Sequence, residues 1–186
     1  IPNSVKSIGA EAFANCTGLT SAAISDNVEC IGDSAFINCQ GLTSVIIPSK
    51  VASIGEYTFY KCVGLTSVLI PNNVVSIGTS AFGGCSGLKS VTISDGVESI
   101  ENWAFSDCIG LTGVTIPDSV TSIGIGAFDG CSGLRGVTIS SGVREIEPST
   151  FGNCSALRSL SISSATTIIS KYAFRNCGTL DYILYR

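Results

Sequence analysis

The chain has 186 residues, of which 45% are hydrophobic and only 13% charged, and its net charge is −4. So mild a charge sets up no strong field to gather nucleic acid or an anionic membrane, and no apolar run reaches the roughly 18 residues of a membrane helix. The absence of histidine removes Ser-His and Cys-His nucleophile pairs, zinc-histidine sites and the commonest neutral-pH general base, so an enzyme is not expected.

From its first residues the chain repeats itself. Phenylalanine recurs every 23 positions from Phe13 to Phe174, with cysteine three residues later (Cys16 to Cys177) and leucine three after that (Leu19 to Leu180). No insertion breaks the register, so residues 1–186 read as a single repeat array of eight 23-residue coils. The chain opens in mid-repeat on Ile1-Pro2 and contains no methionine, so it is expected to be a piece of a longer protein, with any targeting signal outside it.

One period, "LTSVIIPSKVASIGEYTFYKCVG" from Leu42 to Gly64, shows the elements in order. Val45 and Ile47 alternate with Ser44 and Ile46, the pattern of a strand with one buried face. Proline or serine then ends the strand (Ser25, Pro48, Pro71, Ser94, Pro117, Ser140, Ser163), since Pro has no N–H for a ladder. A second apolar pair follows, Val51 and Ile54, and Gly55 turns the chain. The stretch "EYTFYKC" is expected to form a short helical turn carrying Phe59 and Cys62 inward. A coil with one buried side cannot fold alone. Stacked in register, such coils form a solenoid with a parallel sheet on one face and turns or helical turns on the other.

The pattern L-x-x-V-x-I-P-x-x-V-x-x-I-G-x-x-A-F-x-x-C resembles the BspA-like, or TpLRR, class of leucine-rich repeats. "LTSVIIPSKVASIGEYTFYKC" and "LTGVTIPDSVTSIGIGAFDGC" match it nearly position for position, and the resemblance covers the whole chain. It implies a curved solenoid. It also implies a surface-exposed or secreted protein of a host-associated microbe, used for adhesion or for binding host proteins. Departures from the pattern stand at Glu101, Glu147 and Ser170, which replace the turn glycine, and at Thr166 in the Val51 column; these coils are expected to turn less tightly, the last drifting toward a cap.

Nine cysteines suggest redox or metal chemistry until their register is noted. Eight form one inward column, and neighbours about 4.8 Å apart are too far for the preferred disulfide geometry and too linear for tetrahedral zinc. They read as buried free thiols, with no metal and no cofactor; Cys30 lies in a serine column and is expected to be the most reactive. Asp95 and Asp118 read as turn-capping residues rather than a catalytic pair. "GIGAFDG" lacks the lysine of a phosphate loop.

What varies inside the constant frame points to function. The outward strand column carries Ile46 and Leu69, then Thr92, Thr115 and Thr138, and the column beside it turns basic at Lys89, Arg135 and Arg158. This face is expected to bind a protein partner, apolar toward its start and basic toward its end. Against that, Thr is simply a good strand former and Arg158 could pair with Asp181. A third column carries Tyr57, Trp103 and Tyr172, which either stack on a ligand or shield the turn beneath. The expected function is a cell-surface or secreted binding and adhesion module, its partner a host extracellular protein. The alternatives are a structural spacer and a glycan-binding repeat. With strand-like "YILYR" at one end and half a coil at the other, neither end carries a polar cap, and end-to-end self-association is expected.

Overall fold

The computed structural model describes residues 1–185; it is a parallel β-solenoid in which each coil contributes to two ladders and a turn. The main ladder is built from the strands read above, such as Ser67–Ile70, Ser90–Ile93, Gly113–Ile116 and Gly136–Ile139. Partners are 23 residues apart, as in Val114 with Val137. A second, two-residue ladder runs through Ser53–Ile54, Ser76–Ile77, Ser99–Ile100 and Ser122–Ile123. Strand Tyr182–Tyr185 continues the main ladder at the end, and Arg186 lies outside the described residues.

The core sits between the ladders and the turns. Phe36, Phe59, Phe82, Phe105, Phe128 and Phe151 are fully buried and stack into one column, ring centroids 5.3–5.5 Å apart and planes within 15°. Leu42 to Leu157 and Cys39 to Cys154 fill the columns beside it. At the first coil the burial is incomplete: Phe13 and Leu19 are only partly covered and Cys16 is exposed, because an end coil has a neighbour on one side only. The thiol column is therefore buried only in its interior, and Cys16 joins Cys30 as an exposed thiol.

No helix occurs among the described residues, so the helical turn expected over "EYTFYKC" is absent. A helix would turn its N–H groups onto its own carbonyls. Here every second one is committed to the next coil: Tyr57, Phe59 and Lys61 donate to the carbonyls of Thr79, Ala81 and Gly83 at 2.8–2.9 Å. The residues between close tight turns, with Tyr60 donating to Tyr57 and Cys62 to Phe59. This zigzag needs left-handed backbone twice per coil, in the column of Glu11, Ser34, Tyr57 and Trp103 and in that of Asn15, Asn38, Lys61 and Asp107. The turn glycine is not one of these positions. Glu101 and Ser170 accordingly keep the bond that Gly78 and Gly124 make, their N–H donating to an Ile carbonyl of the preceding coil at 2.9 Å against 2.8 Å. The turn after Glu147 closes at 3.3 Å, as does the turn after Gly9, so these coils turn as tightly as the rest. In the last coil the hydroxyl of Thr166 donates to the Val143 carbonyl at 2.7 Å, which accommodates a polar group in the Val column.

Candidate functional site

The sheet face gathers most of the candidate residues. Alternation puts Val68 and Ile70 inward and leaves Leu69 outward, 57% exposed, beside Ile46 at 74%. Two large aliphatic side chains on neighbouring coils thus meet water where the same column has Thr92 and Thr115 further along. Thr92, Thr115 and Thr138, with Gly113 and Gly136, floor a trough of about 690 Å3 whose far rim carries Asp95 and Asp118. Asp118 holds the stacked turn: the Ser141 N–H and hydroxyl each donate to it at 2.8 Å, which lowers its carboxyl below the ordinary value, the backbone bond most of all.

Lys89, Arg135 and Arg158 are exposed, each standing immediately before the first residue of its strand. Arg135 and Arg158 sit on adjacent coils and share a depression of about 600 Å3 with Ala156 and Thr179. The pairing of Arg158 with Asp181 does not form. Among the described residues the ion pairs are Lys6 with Glu29 at 3.9 Å and Arg175 with Asp129 at 3.5 Å. Asp181 lies beside Arg158 on the next coil, its N–H on the Arg158 carbonyl at 3.0 Å, and both side chains are exposed.

Tyr57, Trp103 and Tyr172 lie in a different place, on the turn face, in the first left-handed column (φ 54, 59 and 66). Tyr57 packs edge-to-face on Tyr60, with centroids 5.5 Å apart, and Lys171 lies over the Tyr172 ring at 4.5 Å. The fold therefore brings Ile46, Leu69, Lys89, Arg135 and Arg158 onto one face and separates the three aromatics from them.

The turn face carries one further feature that the sequence does not make plain. Glu101, Asn102, Ile125 and Glu147 line a small trough of about 200 Å3 where the second ladder meets the turns. The available signal was the substitution of glutamate for the turn glycine at Glu101, in the coil of Trp103, and at Glu147, two coils on.

Six copies of the BspA type leucine-rich repeat region match the chain, over residues 1–112 and 52–181. Among solved structures, a leucine-rich cell-surface protein of Faecalibacterium prausnitzii is similar with TM-score 0.74 and 32% identity. That match covers 99% of this chain and 59% of the other, so the chain spans less than two thirds of that protein. A leucine-rich repeat protein of T. pallidum is similar with TM-score 0.65 and 25% identity, over 95% of this chain and 72% of that one. The fold is also shared with a leucine-rich repeat protein of Eubacterium ventriosum, at TM-score 0.64 and 20% identity over 96% of this chain and 70% of that one. No curated protein matches the chain. Matching repeats along nearly its whole length, it belongs to the BspA-type leucine-rich repeat family.

Proposed function

We propose that the chain is a protein-binding and adhesion module of a secreted or cell-surface protein, and that its sheet face meets the partner, an extracellular protein of a host. The observation that carries this reading is the exposure of Ile46 and Leu69 on neighbouring stacked coils, with cations along one edge that pair with no carboxylate among the described residues. Exposed apolar neighbours gain free energy when covered, and a row of free cations steers an acidic partner onto them. The cell-surface description of the Faecalibacterium prausnitzii protein supports the location.

The test is capture of host extracellular proteins by the chain, followed by affinity measurement on an identified partner. Ile46→Lys with Leu69→Lys is expected to abolish binding. Arg135→Glu is expected to weaken it mainly through slower association, the loss fading as salt is raised. Binding that survives all three substitutions overturns the sheet-face assignment.

A further inference from the structure

The residue two places before the basic column is glycine in six coils, Gly18 to Gly133. Stacking leaves no room for more: a Cβ at Gly64 or Gly110 would stand 2.7 or 2.8 Å from the Gln40 or Ser86 carbonyl oxygen of the preceding coil. Ala156 and Thr179 nevertheless bring a Cβ to this position in the two coils that follow. The Thr179 hydroxyl lies 2.9 Å from both the Ser155 and Leu157 carbonyls, the counterparts of the pair that crowds a Cβ at Gly64. At this departure lies the depression of about 600 Å3, walled by Arg135 and Arg158 with Ala156 and Thr179.

The two arginines stand on paired coils, the Arg158 N–H on the Arg135 carbonyl at 3.0 Å, so their backbones lie about 4.8 Å apart. Neither is in an ion pair among the described residues, and no carboxylate lines the depression. Like charges this close repel, and an anion between them relieves both. Each guanidinium offers a fixed fork of N–H donors, which suits an oxyanion with several oxygens. Lys89 extends the row to three coil spacings, about 14 Å, a length that suits a chain of anionic groups rather than one small ion. The depression holds nothing apolar larger than Ala156. A protein hot spot buries an aromatic or aliphatic anchor, and there is no pocket for one here. A glycan brings hydroxyls and charge, which these walls can bind.

We infer that Arg135 and Arg158, with Lys89 along the same edge, bind a sulfated polysaccharide, one sulfate group seated between the two guanidiniums. The site shares Arg135 with the sheet-face reading but none of its apolar anchors, so the two are tested apart.

The probes for calorimetric titration of the chain are a heparin octasaccharide, the same octasaccharide with its sulfates removed, and acetyl-hexaglutamate amide. The sulfated octasaccharide is expected to bind saturably. Removing its sulfates, or substituting Arg135→Gln with Arg158→Gln, should raise Kd about tenfold or more, the substitutions at unchanged Tm. Asp181→Asn, which removes a carboxylate on the coil beside Arg158, should lower Kd. Lys171→Gln, on the turn face, should leave it unchanged. So should Ile46→Ser with Leu69→Ser, which removes the anchors proposed for the protein partner. The assignment is overturned by no saturable binding, by equal binding after desulfation, or by binding that survives the double arginine substitution. A loss in Lys171→Gln or in the double serine variant as large as in the arginine variant also overturns it. Hexaglutamate binding as tightly as the octasaccharide would give the depression to an acidic protein segment instead.

Discussion

At the scale of one residue, the inward cysteine does more than fill a gap. The Cys85 thiol donates to the Phe59 carbonyl at 3.1 Å, and that carbonyl also accepts the Cys62 N–H at 3.2 Å. The bond recurs along the column, from Cys39 on Phe13 to Cys177 on Phe151. A small side chain that is apolar yet still carries a donor is what the position requires, so alanine would leave half of each carbonyl unsatisfied. Burial pushes the Cys62 and Cys131 thiols up to about 12 and holds Cys85 and Cys108 well above the ordinary 9.0. The folded state therefore keeps protons that the unfolded chain sheds. Its stability is complete below pH 9 and is lost as pH rises toward 12, at about 1.4 kcal/mol per pH unit for each buried thiol. Urea unfolding is expected to show a steep decline above pH 9, and Cys62→Ala with Cys131→Ala should make it shallower while lowering neutral stability. A stability curve that stays level through pH 10.5 would mean the thiols are not desolvated.

At the scale of the element, the residue that ends each strand decides how far the ladder runs. Where the later strand ends in serine, all four residues pair, because Ser94, Ser140 and Ser163 donate to the carbonyls of Ile70, Ile116 and Ile139 at 3.2 Å. Where it ends in proline that donor is missing. The junction ending at Pro48 pairs only two residues, Ser21–Ala22 with Ser44–Val45, and the junctions ending at Pro71 and Pro117 interrupt the sheet. Ser94→Pro is expected to shorten the ladder between Ser67–Ile70 and Ser90–Ile93 and to cost about 1 kcal/mol for the lost bond. Pro117→Ser should add a protected amide at 117 with little net change in stability, since the bond gained offsets the chain entropy that proline had removed. Amide hydrogen exchange decides both, and unaltered protection of the Ser90–Ile93 amides in Ser94→Pro would refute the rule.

For the whole molecule, stability is shared between neighbours, since each coil covers the next. The consequences show at the ends. Ile168, Ile169, Ile183, Leu184 and Tyr185 are exposed at one end, and at the other Ile1, Val5, Ile8 and Phe13 line an apolar depression of about 310 Å3. As an isolated polypeptide, the chain is expected to associate head to tail as concentration rises, hiding these surfaces while leaving the sheet face open. Sedimentation velocity checks this: Ile183→Lys should shift the distribution toward monomer, and Ile46→Lys should not. A wild-type chain that stays monomeric at every concentration would disprove it.

The inward columns, the strand faces and the coil length were legible in the sequence because a strict 23-residue register repeats the same local demand in every coil. Phe82, Cys85 and Leu88 had to point the same way as their counterparts before and after. The outward positions of Ile46 and Leu69 followed from simple alternation. The left-handed columns were not legible. Asn15, Asn38 and Asp107 carry the expected chemistry, but Tyr57 and Trp103 do not, and only the bonding of alternate N–H groups to the next coil places them there. The same bonding replaced an expected helical turn with a zigzag of tight turns. Arg158 and Asp181 looked like a pair in sequence, yet no ion pair forms between their exposed side chains, although Lys6 and Glu29 pair at the same 23-residue spacing. The trough where the second ladder meets the turns joins Glu101 to Glu147, two coils away. Residues that far apart along the chain become neighbours only when coils stack at the spacing of paired strands, about 4.8 Å, and that spacing is a property of the assembled solenoid rather than of any single repeat.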